Sequence, residues 1–243
     1  MSVLLVGSLV GFAGLALFHF LPVSFSNQQM IKVTSLPQQR LPVGSHHLFP
    51  LVLEPQSTVT LKEWTDWLNV HFQDTIESLL NQHQAILFRN FPISNAFDFH
   101  EMVEVTGLPA MDYIGGAAVR KQFTSRVVSS NESPPTEVIP FHHEMAQTPH
   151  PPTHSKKISI NTSLNFILVI VFFFGEVVAE TGGETPILSS TELYQRLLSE
   201  IPDFIRAIEE QGVKYIRTMY VIRTSFKFQI KFEGPSTTTH LRP

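Results

Sequence analysis

The sequence Pro140-Phe141-His142-His143-Glu144-Met145-Ala146-Gln147 bears more than any other stretch on the fold and function of this chain. If it is extended, alternate side chains share a face, so His142 and Glu144 point one way and His143 points the other. An imidazole and a carboxylate two residues apart on one strand can bind a single ion. The spacing predicts that His142 and Glu144 are metal ligands. The alternative, for a motif this short, is a polar strand end where histidines occur by chance.

A third ligand from elsewhere would complete a face of two histidines and one carboxylate, the arrangement that non-haem Fe(II) oxygenases use. Three further motifs accompany the pair in a fixed order: AILFRNF at 85–91, NESPP at 131–135 and GGETP at 182–186. This set resembles the taurine dioxygenase-like (TauD/TfdA-like) family. Within it, the set resembles the clavaminate synthase-like branch, which uses Glu rather than Asp in the metal motif. The resemblance covers residues 49–219 with one interruption.

The resemblance implies a dioxygenase that depends on Fe(II) and 2-oxoglutarate and acts on a small-molecule substrate with O2. It implies that His142 and Glu144 are the first two iron ligands, and it implies no catalytic side chain beyond the metal ligands. It also implies that Thr185 helps to hold 2-oxoglutarate. Without the resemblance, Thr185 would be interpreted as a turn residue that follows two glycines.

Two departures from the family pattern change what we expect of the 243-residue chain. The family has a third histidine ligand far downstream, followed by an arginine that pairs with the distal carboxylate of 2-oxoglutarate. His240 and Arg242 lie too close to each other and to Pro243 to match that pattern. We therefore expect weak iron binding and an inactive enzyme in this form. The alternative is a non-catalytic relic that binds a metal or a partner through the partial site.

The second departure is an apparent insertion at 155–171, after which the family pattern resumes. The tail at 220–243 has no family counterpart either. Both segments are explained by translated intron sequence, or by a divergent protein with a genuine loop and a new end. The predicted organisation is an apolar segment at 1–31, a linker at 32–55, a partial oxygenase domain at 56–219 and the tail.

The first 31 residues contain no Asp, Glu, Lys or Arg, and residues 3–21 are almost wholly apolar. That length suits a transmembrane helix, which needs about 20 apolar residues. A signal peptide is the second interpretation, although no basic residue precedes the apolar run. The family resemblance instead favours a cytoplasmic protein, so the localisation stays open between membrane, export and cytoplasm.

Composition fits a globular core without selecting a function. Hydrophobic residues make up 43% of the chain, and the net charge is −4. The sequence has no basic stripe of the kind that binds nucleic acid. It has no cysteine, which excludes disulfides, cysteine-ligated zinc and thiol nucleophiles.

Local patterns predict a mainly β fold with flanking helices, an incomplete double-stranded β-helix or jelly roll. A capping box at Thr60–Glu63 begins a helix whose apolar stripe belongs to the core. Other predicted helices cover 97–105, after Ser94 or Asn95 as cap, 191–199, and 202–211 ended by Gly212. Predicted strands cover 85–89, 172–178, 213–218 and 226–232.

Overall fold

The computed structural model describes residues 2–10, 30–110, 120–130, 134, 136, 138–142, 167–177, 180–182, 184–214, 216–220 and 227–231. Its strands form one sheet of five and one of two. The five-stranded sheet contains β1 (Ser2–Val10), β2 (Ile31–Thr34), β3 (Leu51–Pro55), β4 (Ala85–Arg89) and β5 (Ile167–Gly175). The smaller sheet pairs β6 (Ile216–Tyr220) with β7 (Lys227–Lys231) in antiparallel fashion.

The large sheet is mixed, with the strand order β2-β3-β4-β1-β5. β3 and β4 are parallel, with Leu53 opposite Phe88. Parallel neighbours need a crossover connection, and a helical segment supplies it. The other pairs are antiparallel, so β1 runs opposite to both β4 and β5.

The described residues include five α-helices. They are α1 (Leu61–His71), α2 (Glu77–His83), α3 (Ala96–Glu104), α4 (Ser190–Glu200) and α5 (Pro202–Gln211). A π-helical turn at Phe72–Ile76 joins α1 to α2. The three consecutive helical segments form the crossover from β3 to β4.

Four of the five described α-helices begin within one residue of the predicted start, whereas the separate start of α2 was not predicted. Thr60 and Glu63 form both hydrogen bonds of a capping box at the start of α1. The side chain of Asn95 accepts hydrogen bonds from the first turn of α3, and that of Ser189 accepts one from Glu192 N at the start of α4. Such caps satisfy N–H groups that have no partner inside the helix. α5 starts with Pro202 and ends at Gly212, as predicted.

The core lies between the crossover helices and the sheet. Trp64 is fully buried, and its ring centroid lies 4.2 Å from that of Phe91 and 5.6 Å from that of Phe88. The π-helical turn brings Phe72 over Phe172 of β5, with a centroid separation of 6.5 Å. Complete burial of a side chain of this size contributes about 1.5–3 kcal/mol. The predicted apolar stripe of α1 is therefore part of the core.

The N-terminal residues that the structure describes, 2–10, do not form the predicted transmembrane helix. Residues 2–10 form β1, whose backbone pairs with β4 on one side and β5 on the other. The prediction of a transmembrane helix across residues 3–21 is wrong for residues 3–10, because the backbone of these residues forms the hydrogen bonds of a β-sheet. No helix in the described part of the chain has the length and apolar character needed to cross a membrane.

Other boundaries also differ from prediction. The predicted linker at 32–55 contains most of β2 and all of β3, with Val52 and Leu53 completely buried. β5 begins at Ile167, inside the predicted insertion, and continues without a break to Gly175. The described residues form a mixed sheet with helices. The mainly β jelly roll stays a prediction.

Candidate functional site

His142 is exposed and lies in an irregular segment at 138–142. Its Nδ1 is 2.8 Å from the carbonyl oxygen of Pro140. A carbonyl only accepts, so Nδ1 is the donor in this contact, and in the neutral ring Nε2 is then the nitrogen that could bind a metal ion. A backbone carbonyl that sets the tautomer in this way is a usual partner of metal-binding histidines. The imidazole therefore fits the predicted role.

Glu144, the second predicted ligand, lies outside the described residues. The sequence predicts one extended strand that carries both His142 and Glu144. The described residues before Glu144, at 138–142, belong to no strand. Among the described residues, no group of three or more His, Asp or Glu side chains forms a metal cluster. The pairing of His142 with Glu144 stays a prediction.

Thr185 is exposed and lies between the end of β5 and the start of α4. Gly182, three residues before it, has φ of +71°. A residue with a Cβ is strained at that angle, which gives a physical reason for glycine in the Gly-Gly-Glu-Thr turn. Thr185 carries its hydroxyl at an exposed position, and its role toward 2-oxoglutarate stays a prediction.

The chain that leads toward His142 is anchored to α3 by contacts that sequence reasoning missed. Arg126 donates from Nη2 to the carbonyl of Leu108 at 2.6 Å and from Nη1 to Glu104 at 3.3 Å. Thr124 Oγ1 lies 3.0 Å from Nδ1 of His100, a residue for which the sequence predicts no functional role. The four-residue spacing of His100 and Glu104 places both side chains on one face of α3, and this spacing could have indicated that they take part in a contact.

The chain beyond Thr185 is anchored to the body of the protein at the start of α4. Ser189, which is fully buried, donates from Oγ to Gln84 Oε1 at 2.9 Å. Arg40 Nη2 lies 2.8 Å from Oε2 of Glu192, a carboxylate with only 8% of its side chain exposed. These two contacts hold α4 against the end of α2 and the segment before β3. Thr185 is thus placed between two fixed elements, β5 and α4.

The chemistry that these residues can perform follows from their donor types. An imidazole nitrogen and a carboxylate suit Fe(II), and a hydroxyl can donate to a carboxylate ligand. The exposed side chains of Val138, Ile139 and Phe141 lie beside His142 in the chain.

Comparison with known proteins supports the same chemistry. Residues 44–155 match the model of the taurine catabolism dioxygenase TauD, TfdA family. A clavaminate synthase-like protein of Arabidopsis thaliana is 35% identical over 192 residues, which cover 76% of this chain and 52% of that protein. The dapdiamide synthesis protein DdaC of Enterobacter agglomerans is 25% identical over 142 residues, which cover 58% and 37%.

The chain thus spans about half the length of the first of these relatives and less of the second. The family match includes His142, Glu144 and the anchored segment that precedes them, whereas Thr185 lies beyond it. The match over residues 44–155 and the similarity to the clavaminate synthase-like protein identify a TauD/TfdA-family domain in this chain.

Proposed function

We propose that this protein is an Fe(II)- and 2-oxoglutarate-dependent oxygenase of the clavaminate synthase-like type. The family match at 44–155, which contains the His142-x-Glu144 motif, carries the proposal. The clavaminate synthase-like relative supports the branch. The proposal includes the jelly-roll core typical of the family, of which the mixed sheet would be one part.

In this proposal His142 and Glu144 would hold Fe(II). The contact of Nδ1 of His142 with the Pro140 carbonyl leaves Nε2 as the nitrogen that would bind the ion. When bound, the iron would supply the capacity to activate O2 for reaction with 2-oxoglutarate and with a C–H bond of the substrate. Thr185 donates its hydroxyl proton in a hydrogen bond to a carboxylate of 2-oxoglutarate. The contacts of Ser189 with Gln84 and of Glu192 with Arg40 fix the start of α4, which follows that donor in the chain.

The test is binding of 2-oxoglutarate to the 243-residue chain, measured anaerobically by calorimetry with and without Fe(II). We expect binding to require Fe(II), because in this proposal the ion would supply part of the binding site for 2-oxoglutarate. Replacing Thr185→Val removes one hydrogen bond to an ionised group and should weaken binding about tenfold.

Thr181→Val is the matched control, since Thr181 is an exposed threonine four residues earlier in the same turn region. It should leave the affinity for 2-oxoglutarate unchanged. Binding that is independent of Fe(II), or equal losses in the two variants, would contradict the assignment of Thr185.

Turnover distinguishes the oxygenase from a non-catalytic relic. The sequence after Thr185 contains no match to the family's third histidine and its arginine. We therefore expect this 243-residue chain to release little succinate, even where Fe(II) and 2-oxoglutarate bind. Succinate release that needs both, and is lost in His142→Ala, would show that the chain is active as it stands.

A further inference from the structure

β1 occupies a position in the large sheet that a removable segment does not normally occupy. Residues 2–6 pair with β4, and residues 2–10 pair with β5. Leu4 lies opposite Leu87 on one side and Phe173 on the other. β1 is therefore an interior strand, hydrogen-bonded along both edges.

β1 is also the link between the part of the chain that matches the family and a part that does not. The match at 44–155 contains β3 and β4 but neither β1 nor β5. Within the described residues, the sheet partner of β5 is β1. Without β1, the apolar edge of β4 and that of β5 would both be open, and uncharged open edges promote aggregation.

The composition that suits a membrane span also suits a strand with neighbours on both sides. Residues 1–31 carry no charged side chain. Val3 is only 2% exposed and belongs to the main core, and its neighbours across the two ladders are Phe88 and Phe174. Interior strands often have continuous apolar sequences, and hydrophobic periodicity alone does not distinguish such a sequence from a buried helix.

We propose that the space between β4 and β5 is an acceptor site for one apolar, uncharged strand, and that residues 2–10 of the same chain fill it in the folded protein. These residues are then retained as structure instead of being removed as a leader. They fix β5, and with it the start of the segment that continues to Thr185. The proposal does not depend on the oxygenase chemistry, because the pairing involves neither iron nor 2-oxoglutarate.

Disulfide trapping tests the register, and the absence of native cysteine gives a clean background. Leu4 and Phe173 are opposite each other and both half-buried. Opposed residues in an antiparallel pair have Cα atoms about 4.5–5.5 Å apart, which suits a disulfide. In the variant Leu4→Cys/Phe173→Cys, mild oxidation should give an intrachain disulfide, seen as a monomer whose intact mass has lost two hydrogens.

The control is Leu4→Cys/Val171→Cys, because Val171 lies two residues along the same strand, opposite Val6. The Cα atoms of that pair are separated by roughly 8 Å, beyond the reach of a disulfide. Its oxidation should be at least about tenfold slower. Equal trapping of both pairs, disulfides only between chains, or no trapping of the matched pair would overturn the proposal.

Retention is tested on the protein purified from its native source. Lys32 is the first lysine or arginine, so trypsin should release residues 1–32 as one peptide. Detection of residues 2–10 in the mature protein supports the proposal. A mature N-terminus beyond Val10 would overturn it, whatever the outcome of the iron and 2-oxoglutarate experiments.

Discussion

At the scale of single residues, His83 makes stability depend on pH. Its Nδ1–H donates to the carbonyl of Leu48 at 2.6 Å, and its ring packs edge-on against His47 with centroids 5.1 Å apart. Burial lowers the pKa of His83 from its ordinary value of 6.5, the Leu48 carbonyl opposes that effect, and the neighbouring His47 adds to it. The folded protein thus disfavours the charged imidazole.

We expect the free energy of unfolding to decrease as the pH falls below 6.5 toward the lowered pKa of folded His83. In that window the unfolded chain binds more protons at this residue than the folded chain, so acid favours unfolding. Denaturant titrations at several pH values would measure this slope. His83→Gln should flatten it, and His46→Gln, at an exposed neighbouring position, should leave it unchanged. An equal slope in His83→Gln would refute the assignment.

A second residue-scale prediction concerns Arg40 and Glu192. Their closest atoms, Nη2 of Arg40 and Oε2 of Glu192, are 2.8 Å apart, so the two charges attract each other directly. Arg40→Met leaves the buried carboxylate without this partner and should destabilise the protein by about 1–3 kcal/mol.

A double-mutant cycle checks that interpretation. Adding Glu192→Leu to Arg40→Met removes the stranded carboxylate, so part of the lost stability should return. The coupling energy for residues in contact is about 0.5–3 kcal/mol. Strictly additive effects would show that the two side chains do not interact in solution.

At the scale of elements, the start of α1 depends on one side chain. Thr60 Oγ1 accepts from Glu63 N at 3.3 Å, and Thr60 N donates to the Glu63 carboxylate at 2.8 Å. The backbone hydrogen bond from Thr60 is the main reason that the pKa of Glu63 lies below its ordinary value. Thr60→Ala should cost about 1 kcal/mol of stability, the usual value of such a cap.

Thermal or denaturant unfolding of the variant measures this loss. Thr58→Ala is the matched control, since Thr58 is also exposed and precedes the helix. A loss in Thr58→Ala as large as that in Thr60→Ala would mean that the cap contributes nothing specific.

Helices were easier to predict from this sequence than strands, for a physical reason. Caps such as Thr60 and Ser189, and stops such as Gly212, act within a few residues and are visible in the local sequence. A strand needs a partner that the local sequence does not name. β1 and the first half of β5 are apolar runs whose pairing with each other joins segments more than 150 residues apart, and neither was predicted.

For the candidate site too, local features were predicted from the sequence and long-range contacts were not. Spacing predicted His142, and a motif predicted Thr185, because both signals are local. The contacts that hold the neighbouring segments, from Arg126 to α3 and from Ser189 to Gln84, cross between elements distant in sequence. No single-sequence pattern contains that information.

At the scale of the whole molecule, stability should differ among the sheets. β4 lies inside the large sheet, and Ala85, Ile86 and Phe88 are almost completely buried. β6 and β7 form a separate two-stranded sheet, and two strands alone are only marginally stable. Amide hydrogen exchange should therefore be slowest in β4 and markedly faster in β6 and β7. Equal protection of both sheets would contradict this division.

The central proposal for the whole molecule is that His142 and Glu144 bind Fe(II). Anaerobic titration of the 243-residue chain with Fe(II) tests it most directly, with His142→Ala, Glu144→Gln and His143→Ala measured alongside. We predict that one Fe(II) binds, that each of the first two substitutions weakens binding at least about tenfold, and that His143→Ala does not. Wild-type affinity in His142→Ala, or an equal loss in His143→Ala, would contradict the account.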